Sequence, residues 1–197
     1  MTSETKQFKS PNVGGTLRNP RFIIVHFTAG ASLDSSATWL CNPASKASAH
    51  LIIGRSGETR QLVPFNRVAW HAGRSEWKGL TGLNSYSIGI ELDNWGPLRK
   101  NSRGQWTPIT SPVVIPNDQV YVGKHKQPGC GFEAWHRYTP EQVSVLQTVC
   151  RELVKQFPSV EQILGHSTVS VGRKWDPGAA FQLWDFPFDA DKLRESV

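Results

Sequence analysis

The chain has 197 residues, 38% hydrophobic and 19% charged, with 22 Lys and Arg against 16 Asp and Glu for a formal net charge of +6. That balance excludes a disordered chain and suits one compact domain able to bury a sizeable core without disulfide staples. No apolar run approaches the roughly 18 residues of a transmembrane helix, and residues 1–9 carry no apolar signal-peptide core, so the expected product is made in the cytoplasm with no membrane span. The positive charge favours an anionic partner. Its spread along the chain, without a basic cluster or a recognised module, argues against nucleic acid. Cys41, Cys130 and Cys150 form an odd set without a C-x-x-C pair; they read as thiols of a reducing compartment or of a short-lived secreted product.

Residues 1–20 read as a loose entry segment punctuated by Pro11, Gly14, Gly15 and Pro20. Residues 21–27 (RFIIVHF) are a β-branched and aromatic run, the pattern of a central strand buried on both faces. A short helix is expected over 32–41. Residues 49–53 and 59–63 flank a Gly54–Gly57 turn and read as a hairpin. Residues 87–92 (SIGIEL) are a strand whose alternation sets Ile88, Ile90 and Leu92 on one face and Gly89 and Glu91 on the other. From 95 to 137 the chain turns rich in Pro, Gly and basic residues, and a long inserted loop is expected. Thr139-Pro-Glu-Gln142 supplies an N-cap, a first-turn proline and a capping-box partner, and Val143, Leu146, Cys150, Leu153 and Phe157 follow at helical spacing until Pro158. A short strand over 160–165 leads into His166, and a last helix is expected over 177–184. This order predicts a single α/β domain over 1–197 with a mixed central β-sheet flanked by helices.

Three residues stand out for chemistry. His26 ends a buried strand, His166 follows an apolar run, and Asp176 precedes Pro177-Gly178. Taken singly, each has a plainer explanation as a structural histidine or a turn former. Taken together, two imidazoles and a carboxylate are the usual ligand set of a catalytic zinc, with a fourth position left for water. Glu91 is a carboxylate in a strand of Ile, Gly and Leu, costly to bury unless paired or used. Lys174 lies two residues before Asp176, where a cation would face a developing oxyanion.

These residues sit in a series of blocks: 24–30 (IVHFTAG), 48–53 (SAHLII), 63–65 (VPF), 69–73 (AWHAG), 84–92 ending in SIGIEL, Tyr138-Thr139, 165–167 (GHS) and 172–178 (GRKWDPG). In that order they resemble the zinc-dependent N-acetylmuramoyl-L-alanine amidases of the AmpD type, which share a fold with the phage lysozyme-type amidases and the peptidoglycan recognition proteins. The match covers about residues 23–186, interrupted after Asn94. It implies one Zn2+ held by His26, His166 and Asp176, with Glu91 and Lys174 as catalytic residues. Phage lysozyme-type members carry a tyrosine just before the histidine matching His50 and lack the strand glutamate; Ala49 and Glu91 place this chain on the AmpD-like side.

The resemblance further implies peptidoglycan or muropeptide as the substrate, with release to the cell wall if the chain is an endolysin; a monomer is expected. Trp70, His71, His50 and Asn94 are candidates for substrate contact, although His50 and His71 also suit structural roles. His125 and His136 match nothing in the site. One rival reading is a peptidoglycan receptor without catalysis, which typically lacks a full ligand set. Another is a non-haem iron oxygenase, whose first histidine and carboxylate usually lie close together.

Overall fold

The computed structural model describes residues 8–195. The first half of the chain contributes strands β1 (Val13–Thr16), β2 (Phe22–Phe27), β3 (Leu51–Ile53), β4 (Thr59–Gln61), β5 (Arg67–Ala69), β6 (Glu76–Trp77), β7 (Leu80–Thr81) and β8 (Ser87–Leu92), with helix α1 (Leu33–Leu40) after β2. The second half adds β9 (Pro97–Lys100), β10 (Trp106–Pro108), β11 (Val120–Val122), β12 (Ala134–His136), helix α2 (Pro140–Gln156), β13 (Gln162–Gly165), helix α3 (His166–Val169), β14 (Phe188–Asp189) and helix α4 (Asp191–Glu195). A six-stranded sheet in the order β14-β13-β2-β8-β3-β4 is the centre of the molecule. Its four inner strands are parallel, and both edge strands run antiparallel. This is the mixed sheet that the order of elements predicts.

Side chains alternate across a strand, and here the alternation decides the function of each face. Ile23 and Val25 of β2, Ile88, Ile90 and Leu92 of β8, and Ile163 of β13 point into one core with Leu146, Cys150 and Leu153 of α2. Phe22 and Ile24 of β2 and Leu164 of β13 belong to a second core on the opposite side. Continuing that second register places His26 and Glu91 on the same side of the sheet, opposite each other as a β2–β8 pair.

Helix α2 forms as its cap predicts. Gln142 N donates to Thr139 Oγ1 at 3.1 Å and Thr139 N donates to Gln142 Oε1 at 3.3 Å, closing the capping box behind Pro140. Helix α1 carries a similar box between Ser32 and Ser35. The turn at 54–57 joins β3 and β4, with Gly57 at φ 88°, a conformation that favours glycine.

The structure departs from the sequence expectations in three places. Residues 13–16, expected as loose chain, pair with β5; residues 1–7 of that entry segment lie outside the described part. The stretch 95–137 is not an irregular loop, since it folds into an antiparallel sheet in the order β10-β9-β12-β11 around Leu98, Ile115, Val120 and Ala134. Its strands are three or four residues long, too short for their alternation to stand out among Pro and Gly. The helix expected over 177–184 is absent; Gly178 at φ 79° turns the chain, and Phe181 and Trp184 pack into the core with Phe186 and Phe188. The last helix is α4 instead. All three cysteines are free thiols.

Candidate active site

His26, Glu91, His166 and Asp176 meet at the C-terminal ends of the parallel strands β2, β8 and β13. β13 delivers His166 as the first residue of α3, directly past Gly165, a position where a Cβ would come within 2.9 Å of Pro177. The loop carrying Asp176 is fastened from two sides: Ser167 N donates to the Asp176 carbonyl at 2.8 Å, and Tyr138 Oη donates to the Pro177 carbonyl at 2.7 Å.

Three potential ligand atoms converge. His26 Nδ1 and His166 Nδ1 each lie 2.9 Å from Asp176 Oδ2 and 3.0 Å from one another, and all three side chains are buried. Their outer contacts assign the proton positions. His166 Nε2 faces the Ala72 carbonyl at 3.1 Å and therefore carries the ring proton. His71 Nε2 faces Ser87 Oγ at 3.3 Å, and that hydroxyl already donates to the Leu83 carbonyl, so His71 is the donor there. His71 Nδ1 is then an acceptor and takes the proton of His26 Nε2 at 3.0 Å. Both Nδ1 atoms are thus lone pairs, set against each other and a carboxylate oxygen with no proton between them. Three electron-pair donors this close repel unless a cation lies among them, so the residues present fit a metal ion.

The electrostatics agree. Burial, reinforced by His166, lowers His26 to a pKa of about 4, keeping the imidazole neutral as a ligand must be. Burial opposes ionisation of Asp176, and only positive charge on the facing His166 and His26 outweighs it and holds the carboxyl far below its usual range; with both imidazoles neutral, that charge falls to a cation among the three. Glu91 is pushed the other way, to about 8, first by burial and then by the Asp176 charge. Its Oε2 is buried and has no hydrogen-bond partner among the described residues. An orphan carboxylate oxygen beside a ligand cluster is a group held for a proton rather than for the fold.

These residues line a cleft of about 520 Å³. Lys174, Trp70 and His71 also line it. His50 and Asn94 do not. His50 is buried, accepting from Gly89 N at 2.9 Å on Nδ1 and donating to the Arg67 carbonyl at 2.9 Å from Nε2. Asn94 braces the start of the inserted sheet, donating to the His136 carbonyl at 3.0 Å and accepting from Gly96 N at 2.7 Å. His125 and His136 lie outside the ligand cluster: His125 packs against Trp135 and Trp175, and His136 is buried against Trp95 and Gln119.

Two features escaped the sequence reading. Trp39, 59% exposed, forms part of the cleft wall; it sits off the buried α1 face of Leu33, Ala37 and Leu40, and that offset was the available signal. The Arg173 guanidinium braces the Ala72 carbonyl that orients His166, at 2.8 Å. No local pattern marks such a contact. Among the described residues, no helix is long and apolar enough to cross a membrane.

A sequence model of the N-acetylmuramoyl-L-alanine amidases matches residues 16–179. The 1,6-anhydro-N-acetylmuramyl-L-alanine amidase AmpD of Escherichia coli K12 is 31% identical over 137 residues, covering 69% of this chain and 54% of that protein. The N-acetylmuramoyl-L-alanine amidase AmiD of Escherichia coli K12 is 28% identical over 169 residues, covering 82% of this chain and 50% of that protein. The chain therefore spans about half the length of the curated relatives it matches. The solved complex of Escherichia coli AmiD with the substrate anhydro-N-acetylmuramic acid-L-Ala-D-gamma-Glu-L-Lys shares the fold, with a TM-score of 0.61 at 24% identity over 98% of this chain and 61% of that one. By the extent of the family match, this chain belongs to the N-acetylmuramoyl-L-alanine amidase family.

Proposed function

We propose that the chain is a zinc-dependent hydrolase of the amide bond between N-acetylmuramic acid, or its anhydro form, and the L-alanine of a peptidoglycan stem peptide. The observation that carries this reading is the pair of imidazole lone pairs and one carboxylate converging beside the unpartnered Glu91 Oε2. The family match and the substrate named in the AmiD structure support the choice of amide. A receptor without catalysis has no use for a buried, orphaned carboxylate at this position.

His26, His166 and Asp176 would hold the zinc, which when bound supplies Lewis acidity toward water and the scissile carbonyl. Glu91 takes a proton from the attacking water and returns it to the departing alanine nitrogen. Lys174 faces the oxygen on which negative charge grows. His71 holds His26 in the tautomer that turns Nδ1 toward the cluster. Trp70 gives the cleft an apolar wall for the substrate.

The test is direct. The purified chain, supplied with zinc and a disaccharide muropeptide, is expected to release the free stem peptide, detected by mass spectrometry. Intact muropeptide after prolonged incubation, with binding retained, would favour the receptor.

A further inference from the structure

The inserted sheet carries a feature that amide hydrolysis does not use. Residues 95–137 hold six Lys and Arg against two Asp and Glu, so this segment supplies +4 of the chain's +6. Arg99 and Lys100 of β9 and Arg103 of the following turn are exposed, and none forms an ion pair among the described residues. The Lys100 ammonium rests 5.2 Å from the Trp106 ring, which restrains it on the surface. Arg99 and Lys100 line a groove of about 500 Å³ together with Asn101, Thr107, Thr110 and Ser111, and no acidic residue lines it.

Apolar side chains accompany the charge. Ile109 lines the same groove and is 38% exposed, while Val113 and Val114, shortly beyond it in the chain, are 43% and 46% exposed. A large aliphatic group left in water in the same groove as two unpaired cations, with two more exposed shortly beyond it in the chain, suits a ligand that offers both anionic oxygens and a hydrocarbon phase. A purely polyanionic chain satisfies only half of that surface.

We propose that the groove and tip of the β9–β10 hairpin are a peripheral docking site for an anionic phospholipid surface. Arg99, Lys100 and Arg103 meet the phosphate headgroups, and Ile109, Val113 and Val114 enter the boundary below them. The attraction falls with ionic strength because these charges are exposed.

The experiment uses the whole chain with two vesicle types, phosphatidylcholine alone and an equal mixture of phosphatidylcholine and phosphatidylglycerol, read by co-sedimentation. The expected result is binding to the mixed vesicles only, weakened on the order of a hundredfold by the triple change Arg99→Ser, Lys100→Ser and Arg103→Ser. The double change Val113→Ser and Val114→Ser is expected to weaken it as well. Thermal melts of both variants should match the parent, since every substituted side chain is exposed. Linear polyphosphate is the lipid-free probe. If polyphosphate competes fully and the valine changes have no effect, the site is a general polyanion contact and the proposal fails. It fails equally if the parent ignores the mixed vesicles or the triple variant binds them unchanged. None of these readings depends on amidase activity.

Discussion

His71 Nδ1 lies 3.0 Å from His26 Nε2, and the two rings meet edge to face at 86°. His71 fits there because its ring lies against Gly89 of β8, where a Cβ would come within 2.3 Å of the imidazole Cγ. Replacing His71 by Phe leaves the His26 Nε2 proton without an acceptor. Zinc affinity, measured by competition with a chromophoric chelator, is expected to fall about 10- to 100-fold. His71→Gln can still accept that proton and should recover part of the loss. Equal affinities in both variants would show that the contact only fills space.

Glu91→Gln is close in shape and removes the proton-carrying group. Zinc content should stay near that of the parent while turnover of muropeptide falls by roughly 10²- to 10⁴-fold. Turnover near the parent rate would place the general base elsewhere.

The Tyr138 hydroxyl fastens the loop that presents Asp176 through its bond to the Pro177 carbonyl. Tyr138→Phe is expected to cost about 0.5–1.5 kcal/mol of unfolding free energy. The same variant should bind zinc more weakly than the parent, because Asp176 loses one of its supports. A stability loss with zinc affinity unchanged would separate the clasp from the metal site.

His136 offers a pH test away from the cluster. Burial, with Arg55 nearby, lowers its pKa from 6.5 to about 3. A base with a depressed folded pKa stabilises the native state fully above the unfolded value and less as pH falls, since the unfolded chain takes up the proton first. Between pH 7 and pH 5 the parent should lose about 2 kcal/mol more than His136→Gln in urea titrations, from one proton over this window. Parallel pH profiles would mean that His136 protonates as readily in the fold as outside it.

The sequence was most informative where a periodic run and a cap coincide. The α2 capping box at Thr139 and Gln142 and the apolar run of β2 were both legible, and the alternation of β8 separated Ile88, Ile90 and Leu92 from Glu91 correctly. His26, His166 and Asp176 could be nominated, but their approach to within 3.0 Å depends on β2 and β13 pairing across 140 residues. Short strands defeated the reading of 95–137, because three residues do not establish a period. The expected helix over 177–184 failed for a different reason. Phe181 and Trp184 have helical spacing, yet tertiary packing of the aromatic cluster claims both without a helix. Asn94 showed its chain position but not its partners, and those partners make it a brace of the inserted sheet.

The central claim is that His26, His166 and Asp176 together hold the zinc that amide hydrolysis requires. The most direct measurement is a titration of chelator-treated protein with zinc, following bound metal and stem-peptide release from muropeptide in the same samples. The account predicts that both rise together and saturate at one equivalent in the parent, and that neither recovers in His166→Ala. Full peptide release before any zinc is added, or a His166→Ala variant that regains both, would contradict it.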